Sequence, residues 1–208
     1  KRNEEVKVLF QLGNDDFKIN EDLFEDNDDV HYLPNTSVEI KGIPFAGYSY
    51  VTLNPFAFKD WVKVDYDGEW EKNKERDFVL QGIISTKEGL KEMTFDINSK
   101  DTIWKDMKRI VSKDCVLVAH CPPYDTHLDR MNNNEHVGSV AVRKAIEDFK
   151  PKMSFHGHIH ETVAMSKTFK QKIGETWCFT AGNDFTSEEV AIIEVEYEDP
   201  ESASRYLI

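Results

Sequence analysis

Two short apolar runs, Val116–Ala119 and Met153–Phe155, flank one amphipathic helical stretch, and this arrangement constrains the fold more than any other feature. Apolar runs of this length, bounded by turn residues, read as buried strands. Between them, Val142, Ala145, Ile146 and Phe149 form one stripe of a helix over Gly138–Phe149, which Pro151 stops. Each strand runs straight into histidine. His120 stands in Val-Leu-Val-Ala-His-Cys-Pro-Pro-Tyr (116–124), and His156, His158 and His160 stand in Phe-His-Gly-His-Ile-His-Glu (155–161).

The same alternation extends in both directions. Val6–Leu12 reads as a strand that stops at Gly13-Asn14-Asp15-Asp16, and Val38–Ile40 and Pro44–Tyr50 pair around a turn at Lys41-Gly42. A helix is expected over Asp101–Lys113, with Ile103, Met107, Ile110 and Val111 inward and Asp101 as its cap. Val163–Met165, Trp177–Thr180 and Val190–Tyr197 read as further strands. Aromatic and charged residues mix without period over about 54–87, which reads as an insertion carrying a helix near Glu69–Asp77. Residues 21–29 lack the spacing and central glycine of a calcium loop, so they read as solvated acidic surface. Strand–loop–helix–strand recurs three times, a layered α/β pattern in which ligands collect at the C-terminal ends of strands. The 208 residues form one domain, 1–208.

Composition narrows the function. A net charge of −13 argues against a nucleic-acid-binding surface, since phosphate contacts need clustered Lys and Arg. A nucleotide in a pocket stays compatible with it, because a bound metal reverses the local field. No apolar run approaches the roughly 20 residues that span a bilayer. Cys115, Cys121 and Cys178 are odd in number and lack metal-site spacing, which fits a reducing compartment and makes the cytoplasm the expected location.

The chemistry lies at the strand ends. Residues two apart in an extended strand share a face, which would aim His158 and His160 together, whereas a loop would let them diverge to neighbouring ions. Gly157 lets the backbone pass close to a ligand. His120 is the natural third imidazole, and Asn14, at another strand end, offers a hard amide oxygen. This donor set suits Mn, Fe, Zn or Ni better than Ca or Mg. A single buried histidine is more often a hydrogen-bonded core residue, but three within five residues beside a fourth favour metal binding.

Gly-Asn-Asp-Asp (13–16), His-Cys-Pro-Pro-Tyr (120–124) and Gly-His-Ile-His (157–160) together resemble the later motifs of the calcineurin-like metallophosphoesterases. Val116 to His160 is particularly similar to small phosphoesterases related to bacterial cyclic-nucleotide phosphodiesterase. The resemblance implies a four-layer α/β/β/α sandwich. It further implies two divalent ions, manganese first among them. Asn14, His120 and His158 would ligate one ion and His160 the other, and a metal-bridging hydroxide would cleave a phosphomonoester or phosphodiester. The implied partner is a small phosphoester, a nucleotide among the options, with homo-oligomerisation left open.

The departures carry equal weight. The family pattern begins with Asp-x-His and Gly-Asp-x-x-Asp, and neither precedes Gly13. The chain is therefore expected to lack the first strands and helices of the fold. Asp15 stands where many relatives have a proton-donating histidine, and an ionised carboxylate cannot donate. His127 and His136 are candidate donors by position, with a solvated surface role as the alternative. Asp16 reads as a structural acceptor within its loop. Asn183, after the strand at 177–180, is a candidate substrate contact together with Asn14. Cys121, next to His120 with no paired base apparent, does not read as a nucleophile. The competing expectation is a non-catalytic scaffold or binding module on the same fold.

Overall fold

The computed structural model describes residues 6–24, 29–69, 80–183 and 186–208. Most of the helix expected near Glu69–Asp77 lies outside them. A six-stranded sheet organises the molecule, built from β3 (Ser37–Ile40), β4 (Ile43–Tyr48), β7 (Val116–Ala119), β8 (Met153–His156), β9 (Lys170–Ile173) and β10 (Thr176–Thr180). Their spatial order is β3-β4-β7-β8-β10-β9. The inner strands β4, β7, β8 and β10 run parallel, and the two outer strands pair antiparallel. The expected turn at Lys41-Gly42 joins β3 to β4, with both residues at positive φ (52° and 78°).

Strand alternation divides the core between two faces. On one face Ala46, Tyr48, Leu117, Ala119 and Cys178 pack against helices α1 (Ile103–Ile110) and α2 (Val140–Phe149). Ile103, Met107 and Ile110 of α1 and Val142, Ala145 and Ile146 of α2 are all buried there. Each Ile, Met and Val among them contributes ~2 kcal/mol if fully shielded from water, and the Ala145 methyl roughly 1 kcal/mol or less. On the other face Phe45, Val116, Met153, Phe155, Trp177 and Phe179 meet Ile193 of a two-stranded ribbon, β11 (Ala191–Glu194) with β12 (Ser204–Leu207). The described residues thus form a mixed α/β sandwich with helices, central sheet and ribbon as successive layers. Two small pairs complete it. β1 (Val8–Phe10) runs parallel to β2 (Val30–Tyr32), and β5 (Gln81–Thr86) forms a hairpin with β6 (Gly89–Thr94) across the end of the expected insertion.

Three local expectations change. The N-cap of α1 is Thr102, whose hydroxyl accepts from Lys105 N, and Asp101 stays outside the helix. Val163–Met165 lies within a short helix, α3 (Thr162–Ser166), because Met165 N–H bonds back to Glu161 O instead of to a neighbouring strand. The β-rich end also contains β9 and β12, which the sequence reading did not anticipate.

Candidate metal centre

Three strand ends converge at one edge of the fold. β1 hands the chain to Gly13–Asp16, where Gly13 N–H donates to Asp16 Oδ2 (2.7 Å) and Asp16 N–H returns to Gly13 O (3.1 Å). Asp16 thus has the structural role expected of it. The buried Trp61 pins this turn by donating Nε1–H to Asp16 O at 2.9 Å, and Asn14 is left buried. His120 follows β7 directly. Its N–H bonds Tyr48 O at 2.8 Å and its carbonyl accepts Gly157 N–H at 3.0 Å, so the backbone is fixed from both neighbouring strands. His158 follows β8 with φ +66°, a left-handed conformation that costs a non-glycine residue roughly 1–2 kcal/mol. Such strain persists only where the surroundings impose it, and it gathers at functional sites.

The consequence is a tight group of donors. Asn14 Oδ1 stands 2.8 Å from His120 Nε2 and 2.8 Å from His158 Nδ1. Asn14 Nδ2 donates to Asp15 Oδ1 at 3.0 Å, which turns the amide oxygen toward the two rings. Both separations are those of a hydrogen bond to the amide oxygen, and they are also close to the spacing of donors around one ion. Donors each ~2.1 Å from one ion and at right angles to each other lie ~3 Å apart.

Electrostatics point the same way. Burial, reinforced by the charge of His160 and opposed by Asp16, holds the His120 imidazole down at about 4. Burial, then His120 and His160, holds His158 at about 3. Both rings are therefore neutral near pH 7, the state in which imidazole ligates metal. Among the described residues no three His, Cys, Asp or Glu side chains gather around one point. The third donor here is the Asn14 amide.

Backbone packs both sides of the His120 ring. A Cβ on Gly13 would lie 2.8 Å from His120 Cε1, and one on Gly157 would lie 3.2 Å from His120 Nδ1. The expected role of Gly157, close backbone approach, is thus directed at the His120 ring. Gly13 performs the same role.

The other candidate residues separate. His160 is exposed and lies outside the three-donor group, with Nδ1–H donated to Asn183 O at 2.8 Å. His156 points to the helical face of the sheet. Its Nδ1–H serves the carbonyls of Ala119 (3.0 Å) and Cys121 (3.1 Å), and Nε2 accepts from Ser154 Oγ (2.9 Å). That is a satisfied core histidine. Asp15 is exposed and bonded to Asn14. The Asn183 side chain accepts Ala191 N–H at 2.6 Å, while its carbonyl orients His160, a backbone role no residue pattern could have revealed. His127 is exposed, and His136 bonds the buried Asp129 at 2.7 Å through Nδ1. Burial pushes the Cys121 thiol well above its usual range, which rules against a nucleophilic role.

The family model for calcineurin-like phosphoesterases matches residues 2–162. An uncharacterized protein of Methanocaldococcus jannaschii, MJ1162, is 37% identical over 75 residues, which are 33% of this chain and 34% of that protein. One solved crystal structure aligns with 86% of this chain and 54% of its own, at 14% identity and a TM-score of 0.48, a likeness too distant to carry an argument. The matches thus span about a third of that relative and about half of that structure. With a family match over most of its length, the chain belongs to the calcineurin-like phosphoesterase family.

Proposed function

We propose that this protein is a metal-dependent phosphohydrolase of phosphomonoesters or phosphodiesters. Asn14, His120 and His158 would hold one divalent ion, and His160 would serve a second. The observation that supports this reading is the approach of two neutral imidazole nitrogens to one amide oxygen, each at 2.8 Å. Two nitrogens and an amide oxygen suit manganese, with iron, zinc and nickel as the other candidates. Such an ion supplies charge neutralisation for phosphoryl oxygens and acidity for an attacking water.

The chain's own residues do the positioning. Asp15 orients the Asn14 amide, the left-handed backbone at His158 sets its ring, and Gly13 and Gly157 keep side chains away from His120. A cavity of about 630 Å³ opens beside His160, lined in part by Asn132, Glu161, Val163, Gly182 and Arg205. That volume suits a small organic phosphoester. The net charge of −13 disfavours nucleic acid as substrate. No helix among the described residues is long and apolar enough to cross a membrane. With its three free, buried cysteines the protein suits a reducing compartment, and we place it in the cytoplasm.

A second reading, a binding scaffold, is favoured by one observation: among the described residues no three His, Cys, Asp or Glu side chains gather to hold a second ion. Nitrophenyl phosphate hydrolysis with added Mn²⁺ separates the two. The phosphohydrolase predicts turnover that disappears in His158→Ala; equal rates for the two proteins mean a scaffold.

A further inference from the structure

We propose that Arg130 is the residue that clamps the phosphoryl group at this site, an assignment that rests on the phosphohydrolase reading above. Its Nε is buried and has no hydrogen-bond partner, and no carboxylate pairs with its guanidinium among the described residues. The other described arginines are all engaged. Arg109 meets Asp106, Arg143 meets Glu147 and Asp125, and Arg205 donates to the carbonyls of Ala181 and Gly182. In a chain with 39 Asp and Glu against 26 Lys and Arg, an arginine without an acid is conspicuous. Arg130 is half-buried, and a buried N–H such as its Nε left unpaired is costly, which calls for an absent partner.

Position indicates which partner. Arg130 lies in the loop that runs from His120 to α2. Its N–H donates to Thr162 Oγ1 at 3.1 Å, at the start of α3, directly after the turn that carries His158 and His160. Asn132 N–H reaches Glu161 Oε1 at 3.4 Å, so the loop is bonded to that turn twice. Across an antiparallel bridge from Arg130 stands His136, whose ring the fully buried Asp129 fixes, so this stretch of loop is held in place.

Among the described residues the other buried side-chain polar atoms without partners include those of Gln11, just after β1, and Thr180, at the end of β10. Both lie at the C-terminal ends of strands, the same end of the fold from which β7 and β8 lead into His120 and His158. A guanidinium is a planar fork that matches phosphate oxygens with two parallel bonds. An arginine retained for packing would instead be missed by the fold when removed.

The test is calorimetric titration of inorganic phosphate into the Mn²⁺-loaded wild type, Arg130→Met and Arg130→Lys, with melting temperatures of the metal-free proteins. The clamp predicts that Arg130→Met weakens phosphate binding tenfold or more. Arg130→Lys, which keeps the charge and loses the fork, should fall between. Melting temperatures should hold or rise, since an unpaired buried donor is gone. Phosphate affinity within twofold of wild type in Arg130→Met would overturn the proposal. So would a melting temperature lower by more than about 5 °C in both variants, the mark of a structural arginine. A wild type that binds Mn²⁺ but not phosphate also overturns it, whereas a wild type that binds no Mn²⁺ overturns the phosphohydrolase reading first.

Discussion

Asn14 and His158 lie 144 residues apart in the chain, yet the amide oxygen of one stands 2.8 Å from Nδ1 of the other. His120 Nε2 approaches the same oxygen at 2.8 Å from a third strand end. The fold brings three neutral donors together at the cost of a left-handed backbone at His158. A ligand that binds only the folded state would offset that cost.

Metal should therefore stabilise the protein. A divalent ion at about 100 times its Kd contributes ~2.7 kcal/mol. For a domain of this size that is a rise of about 5–10 °C in melting temperature. Scanning calorimetry with Mn²⁺ and then with a chelator reads it directly; matching melting temperatures would leave the site without a ligand.

Two glycines should respond in a fixed order. A Cβ on Gly13 would meet His120 Cε1 at 2.8 Å, closer than real contacts allow, while one on Gly157 would meet Nδ1 at 3.2 Å. Gly13→Ala should lower Mn²⁺ affinity roughly 10–100-fold, as displaced supports of metal ligands do, and Gly157→Ala should lower it less. The reverse order in a titration would mean that ring position is not what these glycines protect.

Acid should destabilise the metal-free protein below pH 6.5, with the buried Asp65 carboxyl, held up at about 6, offsetting part of the loss because the folded state takes up that proton first. Burial holds His120 and His156 at about 4 and His158 at about 3, against an ordinary value of 6.5. The unfolded chain takes up these protons first, so stability is full above pH 6.5 and falls as pH drops toward 4. Each ring contributes roughly 1 kcal/mol per pH unit within that window. Urea denaturation in chelator at pH 7.5, 6 and 5 should show the decline, and a flat series would contradict neutral burial of these rings.

The cap of α1 separates sequence expectation from structure. Thr102→Ala should cost about 1 kcal/mol, because its hydroxyl accepts Lys105 N–H, whereas Asp101→Ala should change little. Chemical denaturation of the two variants tests this, and equal losses would favour the cap expected from the sequence.

Much of the central sheet was legible because its strands are buried on both faces and announce themselves as apolar runs. β7 (Val116–Ala119) falls where the hydrophobic pattern places it, and the apolar stripes of α1 and α2 face the core as expected. Elements whose signal is tertiary escaped. β9, Lys-Gln-Lys-Ile, carries charges suited to a sheet edge, and Val163–Met165 is apolar enough for a strand but bonds back on itself as a helix. At the site, residue type indicated Asn14, His120 and His158. It could not separate His156, whose neighbours share its chemistry but whose strand position turns it toward the helices. Nor could it detect Arg130, whose distinguishing property is a buried Nε without a partner among the described residues.

The most direct test of the three-donor centre is calorimetric titration of Mn²⁺ into the chelator-stripped wild type and into Asn14→Ala, His120→Ala and His158→Ala. The account predicts that each substitution weakens binding at least tenfold, with melting temperatures of the stripped proteins confirming that they are folded. A folded His158→Ala that binds Mn²⁺ as tightly as the wild type would contradict it.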